Sequence, residues 1–375
     1  MMPWLLASGD FVPSGGMDTA NHAFASYLAR RAHADVHLVA HRVAPELAAS
    51  PGVHVHHVPR PFGFHSLGEP LLTSVAARRS RDVLRSGGHV LANGGNVNAG
   101  DVTWTHYVHA AYKPAAAGIV NAALVAARHR KYVAAERVAL TEARLVLCNS
   151  DRTLRDVVER VGVDPRRARR VYYGVDATRF RDRNDQATAK ARLGHDPHTP
   201  IVLFVGALGD RRKGFDTVFD AWHSVCRLTG WDAKLLVAGS GAELPRWRAR
   251  VSTNGAAERI TLLGYRSDVV DLMTAADLLV HPARYEAYGL AVHEALCCGV
   301  PVIVSSAAGI AERMPANLAD LLIDDVDSAD DLAARLLRWR ERAGEFRERT
   351  RSFGDVLRAR SWDDMSREMA DMAES

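Results

Sequence analysis

Two carboxylates, Glu286 and Glu294, frame the turn Tyr288-Gly289-Leu290 just after an apolar run. Residues 277–281 have the character of a buried strand, and residues 291–298 form a helical stretch closed by Gly299, a residue suited to a C-cap. Glu286 therefore belongs to the loop before the helix and Glu294 to the helix itself. Gly289 lets the backbone approach a ligand closely, and the amides that open the helix form a positive end suited to a phosphate. Carboxylates on either side of an anion site can accept hydrogen bonds from hydroxyl groups, such as those of a sugar and a ribose joined by a diphosphate. With a helical rise the two acids would stand about 12 Å apart. A glycosidase pair flanking one scissile bond needs roughly 5–9.5 Å, so the spacing suits the two ends of a nucleotide-sugar better.

A second element supplies cations. Residues 201–208 read as a buried strand, and Arg211, Arg212 and Lys213 follow it between Gly209 and Gly214, ahead of a helical pattern. Adjacent cations in a glycine-flanked loop suit a diphosphate, with Arg offering a planar fork and Lys a compact charge.

The segment around the glutamates resembles the retaining glycosyltransferases of family 4, whose second domain carries two glutamates separated by seven residues and then a Gly-x-Pro-Val strand. Glu286, Gly289, Glu294, Ala295, Gly299, Pro301 and Val302 carry the match. The resemblance implies that Glu286 and the amides of Tyr288, Gly289 and Leu290 hold the donor sugar and that Glu294 binds the ribose. It also implies that an Arg/Lys pair neutralises the leaving diphosphate, a role that falls on Arg212 and Lys213 with Arg211 as the alternative. Relatives often have Arg directly after the strand's glycine, where this chain has Ala207. The implied fold is α/β, GT-B: two Rossmann-like, doubly wound parallel-sheet domains facing a central cleft.

The order of elements is consistent with that fold. Strand-like runs alternate with helical patterns, the signature of parallel sheets covered by helices. Strands are expected near residues 3–8, 35–40, 54–58, 90–93, 102–107 and 145–149. They resume at 201–208, 234–238, 260–263, 277–281, 301–304 and 321–323. The expected organisation is an acceptor-side domain over 1–180 and a polar, proline-bearing linker over 181–200. A nucleotide-sugar domain follows over 201–355, and a terminal helix over 356–375 that crosses back to the first domain.

In the first half, Gly15-Gly16 resembles the double glycine of the family's first loop and is assigned to donor binding, as is Gly241 in the turn Gly239-Ser240-Gly241. Family members carry a histidine near the donor sugar in the loop after a first-domain strand. His109 fits that place best, with His106 as the alternative. A neutral imidazole there can hydrogen-bond a sugar hydroxyl.

Composition narrows the classes. The chain has 375 residues, long enough for two domains, with 47% hydrophobic content. Its 48 basic and 44 acidic residues leave a net charge of +4, too mild to argue for nucleic acid. Cys148, Cys226, Cys297 and Cys298 have neither zinc-ligand nor disulfide-framework spacing and read as buried thiols in a reducing compartment. His54, His56 and His57 cannot form a single metal site, because strand alternation sends His57 to the opposite face. The apolar stretch 115–127 is too short to span a bilayer. The basic stretch 126–137 suits either a solvated helix face or contact with an anionic membrane.

The expected activity is transfer of a sugar from a UDP- or GDP-linked donor to an acceptor hydroxyl, with retention and without a metal or cofactor. The catalytic set is Arg212, Lys213, Glu286 and His109. The expected setting is the bacterial cytoplasm, including the inner face of the membrane, in polysaccharide, glycolipid or glycosylated-metabolite synthesis. A phosphorylase, an epimerase and a catalytically silent nucleotide-sugar binder are the alternatives.

Overall fold

The computed structural model describes residues 2–63, 65–98, 101–114, 119–209, 211–253 and 257–375. The chain divides into two compact units: Met1–Lys113, Ala123–Gly174 and Arg360–Ser375 form one, Pro114–Ala122 and Val175–Ala359 the other. Part of the apolar stretch 115–127 lies outside the described residues.

The first unit contains β1 (Trp4–Ala7), β2 (Asp10–Phe11), β3 (Val36–Ala40), β4 (Arg42–Val43), β5 (Val53–His57), β6 (His89–Asn93), β7 (Val102–Thr105), β8 (Leu145–Cys148) and β9 (Ala168–Arg170). Seven of them form a sheet in the order β5-β3-β1-β6-β7-β8-β9, and β2 pairs separately with β4. The pairings in this sheet are parallel. Strands β1, β7 and β8 are buried on both faces, as a parallel sheet covered by helices requires. The helix Trp362–Glu374 starts with a capping box between Ser361 and Asp364. It is tied to this unit by Arg30 to Asp363 at 2.5 Å and by Arg144 to the Ala373 carbonyl at 2.6 Å.

The second unit holds β10 (Ile201–Val205), β11 (Lys234–Ala238), β12 (Ile260–Gly264), β13 (Leu278–His281), β14 (Val302–Ser305) and β15 (Leu322–Ile323). Their order is β12-β11-β10-β13-β14-β15. The order reverses at β10, which pairs with β11 on one side and β13 on the other. Loops leaving the carboxyl ends of β10 and β13 therefore emerge side by side at a topological switch point, the usual ligand crevice of such sheets.

Residues 181–200 are not a linker. They belong to the second unit and contain the helix Gln186–Arg192. Gln186 donates to the Ala276 carbonyl at 2.8 Å, and Lys190, almost fully buried, pairs with Asp277 at 2.7 Å. Polar composition concealed these partners, which lie far along the chain.

Two loops of the second unit are sewn together. Arg284 N donates to the Arg212 carbonyl at 2.8 Å. Gly214, at φ 73°, caps the helix Phe215–Val225, and a Cβ there would stand 2.0 Å from the Pro282 carbonyl oxygen. Only glycine permits both the left-handed backbone and that approach. Gly214→Ala is expected to destabilise the protein by about 2–4 kcal/mol, from the left-handed penalty plus overpacking. Urea unfolding measures it, and an unchanged midpoint would contradict this account of the loop contact.

Candidate functional site

The loop after β10 turns through a short 3-10 segment, Arg211–Lys213, and the loop after β13 carries Glu286. The strand order brings them together. The Lys213 ammonium contacts Glu286 Oε2, and His281 Nε2 lies 2.8 Å from the same oxygen. The Lys213 and Glu286 side chains are only 16% and 13% exposed, and His281 is 1% exposed.

Burial by itself would raise the Glu286 pKa. The Lys213 charge, the His281 hydrogen bond and the nearby Arg212 outweigh it and hold the carboxyl well below the usual range. Burial pushes the His281 pKa down despite Glu286, so the ring is neutral and its Nε2–H donates to the carboxylate. Lys213 and His281 thus share one oxygen of Glu286.

Beyond Glu286 the chain passes Tyr288 and reaches Gly289, which caps the helix Leu290–Cys297 at φ 111°. The first main-chain bond of that helix runs from His293 N to the Gly289 carbonyl at 2.9 Å, and no side chain caps the end. The amides of Leu290, Ala291 and Val292 thus open the helix without intrahelical acceptors. Their partial positive charge lies four to six residues from Glu286 in sequence.

Glu294 sits inside the helix. Burial raises its carboxyl to about 7, opposed by Arg179. An acid of this kind accepts hydrogen bonds from hydroxyls once ionised.

The ambiguity between Arg211 and Arg212 has a structural counterpart. Arg211 Nε donates to Asp216 at 2.6 Å, and Arg284 engages the same carboxylate at 2.8 and 2.9 Å. Arg212 instead donates to the Tyr285 carbonyl at 3.3 Å, beside Glu286. Gly241 lies against the β10 loop, where Leu208 N donates to the Ser240 carbonyl at 2.9 Å. A Cβ at Gly241 would be 2.3 Å from the Leu208 carbonyl carbon.

The remaining candidates belong to the first unit. Gly15 and Gly16 open the helix Gly16–Ala29, with Gly15 at φ 88° and no side-chain cap. His109 starts a 3-10 turn whose His109 and Ala110 amides both donate to the buried Glu136 carboxylate, at 2.7 and 3.0 Å. Its ring stacks on Tyr132 with centroids 5.2 Å apart. Burial, and then His129, lower its pKa to about 4, so it is neutral near pH 7. His106 is committed to packing: it bonds the Tyr173 hydroxyl and lies on Trp104 with ring centroids 4.2 Å apart.

Two family models cover most of the chain: that of group 1 glycosyl transferases matches residues 185–355, and that of glycosyltransferase family 4 matches residues 14–179. The chain belongs to glycosyltransferase family 4. Within the family it is 32% identical to a D-inositol 3-phosphate glycosyltransferase of Rhodococcus jostii over 50% of this chain and 43% of that protein. It is 31% identical to the lipopolysaccharide core biosynthesis mannosyltransferase LpsB of Rhizobium meliloti over 46% and 51%. The chain spans about half the length of the curated relatives it matches. Among solved structures, WaaG, a glycosyltransferase involved in lipopolysaccharide biosynthesis, superposes with a TM-score of 0.76 at 21% identity over 99% of both chains. Anabaena HepE in complex with UDP-glucose gives 0.72 at 17% identity, again over 99% of both. The fold is GT-B, as in these solved structures.

Sequence reasoning missed His281. Its only local signal was a histidine closing an apolar strand five positions before the first family glutamate, and that is equally the mark of a buried structural imidazole. Asp216, which holds Arg211, gave no signal at all.

Linkage gives the pair a pH signature. A carboxyl held below its ordinary value of 4.5 stabilises the folded state above that value, and the contribution is lost as pH falls through the folded value. Lys213→Met is expected to cost about 2 kcal/mol at pH 7, since it strips a largely buried carboxylate of its counter-charge. The loss should shrink at pH 4, where the variant's carboxyl takes up a proton. Urea unfolding at both pH values checks this, and equal losses would refute it.

Proposed function

We propose that this chain is a retaining glycosyltransferase that moves a sugar from a nucleotide diphosphate donor, UDP- or GDP-linked, to an acceptor hydroxyl. One observation carries the reading: Lys213 and Glu286 meet at the switch point of the second sheet, beside the uncapped helix at Leu290. In this arrangement Lys213, Arg212 and the helix amides stabilise the departing diphosphate. Glu286 accepts a hydroxyl of the transferred sugar, and Glu294 accepts from the ribose. The bond from the anomeric carbon to the phosphate oxygen breaks as the acceptor oxygen attacks from the same face. The acceptor proton passes to the departing phosphate oxygen, the nearest base on that face. Most of the rate enhancement comes from stabilising the charge on the leaving group. His109, neutral and aromatic-flanked, is the first unit's candidate for a sugar hydroxyl. The reaction needs no metal if the cationic loop neutralises the diphosphate, so EDTA should leave transfer unchanged.

The names of the relatives point to bacterial surface or metabolite glycosides as products. Among the described residues no helix is long and apolar enough to cross a membrane. The helix Ile119–Glu142 exposes Arg128, Arg130, Lys131 and Arg137, and we place any contact with anionic lipid there. Cosedimentation with anionic vesicles tests it; protein left wholly in the supernatant would exclude it.

A thermal-shift screen of UDP, GDP, ADP and TDP with their common sugars tests the donor site. Lys213→Ala and Glu294→Ala should reduce the nucleotide-specific shift, with affinity falling about tenfold for the lost charge contact. Arg211→Ala should change affinity by less than about threefold, because Arg211 is held by Asp216. No shift with any nucleotide would refute the donor assignment.

Glu294 also predicts a pH dependence. Its raised carboxyl favours the folded state below the ordinary value of 4.5, and that contribution is lost as pH rises through about 7. Over the same rise the carboxylate forms and can accept from the ribose. Nucleotide affinity should therefore increase between pH 6 and pH 8, and Glu294→Gln should flatten the profile. A profile unchanged by that substitution would contradict the role.

A further inference from the structure

The turn that carries Glu286 is fastened a second time, by side chains the transfer chemistry does not use. Its main chain is held by the segment Gly309–Arg313: Gly309 N donates to the Glu286 carbonyl at 3.1 Å and Ile310 N to the Tyr288 carbonyl at 2.7 Å. The Tyr288 hydroxyl then accepts from Arg313 Nη1 at 3.1 Å and lies 3.0 Å from His293 Nδ1. Tyr288 is 1% exposed and His293 0%.

Arg313 can only donate, so the Tyr288 hydroxyl oxygen accepts from it while the same hydroxyl shares a second hydrogen bond with His293 Nδ1. Burial, with Arg313 adding to it, lowers the His293 pKa to about 3 and keeps the ring neutral. Its Nε2 is buried, with no hydrogen-bond partner among the described residues. A phenylalanine and an aliphatic residue would occupy the same space without leaving a buried ring nitrogen unpaired, so the polar trio carries a cost that packing does not explain.

What the trio supplies is restraint. Gly289, with its left-handed backbone, lets the turn bend but adds no side chain to fix the result. A hydroxyl bonded to both the first turn of the helix and the Gly309–Arg313 segment fixes it from two directions. We propose that Tyr288, His293 and Arg313 are positioning residues that hold Glu286 and the amides of Leu290–Val292 in register for the donor sugar. The inference rests on the donor-site reading above. The Arg211–Lys213 loop is anchored separately, through Arg284 N to the Arg212 carbonyl and through Gly214 against Pro282. Loosening the turn therefore harms the sugar end more than the diphosphate end. Misplacement by about 1 Å at a reacting centre costs on the order of a hundredfold in rate.

The test compares wild type, Tyr288→Phe and Tyr288→Phe/His293→Leu by calorimetry with UDP and UDP-glucose, or with GDP and GDP-mannose if those are the pair that binds. Tyr288→Phe should lower the preference for nucleotide-sugar over diphosphate by about fivefold or more, with diphosphate affinity, which draws on the helix amides as well as on Arg212 and Lys213, falling by a smaller factor than nucleotide-sugar affinity. The double variant removes both polar partners, so it should recover Tm but not the preference. Hydrogen exchange should rise at Leu290–Val292 in both variants. A lowered Tm with unchanged preference and exchange would reduce the trio to a structural role and overturn the proposal. Recovery of the preference together with Tm in the double variant would do the same. Failure of every diphosphate to bind the wild type would defeat the donor reading itself.

Discussion

A carboxylate that is largely withdrawn from water needs a counter-charge, and in this chain the counter-charge comes from Lys213. That requirement organises the second unit. Lys213 follows β10 and Glu286 follows β13, more than seventy residues later, and only their adjacency in the sheet lets the two loops touch. Gly214 allows the first loop to lie on Pro282, and the interlock of Leu208 with Ser240 steadies it from the other side. His281 holds the carboxylate from the strand end. The ammonium paired with Glu286 is the one a donor diphosphate would draw on, so the two ends of the proposed donor site share a charge.

The first unit treats buried polar groups near strand ends in the same way. Glu136 takes two amides from the His109 turn. Asp10 pairs with Arg42 at 2.6 Å and with Arg60 at 2.9 Å. Ser8, Asn21 and Asn93 bond one another at 2.9 to 3.0 Å where β1 and β6 end. Most polar groups buried in a core are partnered, and these partners fix the loops that leave the sheet.

Much of this was legible in the sequence where the signal is local. The strand before Glu286, the glycine turn and the helix bearing Glu294 follow from apolar runs and punctuation by Gly289 and Gly299. The first-half strands were found to within one or two residues, apart from β2, β4 and β9, which are too short to show periodicity. What could not be read depends on contacts distant in sequence. The choice between Arg211 and Arg212 turns on Asp216 and Arg284. Residues 181–200 looked like a linker because their composition does not reveal Asp277 as the partner of Lys190. The bridge from Tyr288 to Arg313 joins residues that share no pattern, and His281 is indistinguishable by type from the other histidines until its neighbour is seen.

Calorimetric titration of UDP and GDP into wild type and Glu286→Gln tests the shared charge most directly. If Lys213 is divided between the carboxylate and the diphosphate, removing the negative charge at Glu286 frees the ammonium. Glu286→Gln should then bind the diphosphate severalfold more tightly than wild type while losing sugar transfer. Unchanged or weaker diphosphate binding in that variant would contradict the account.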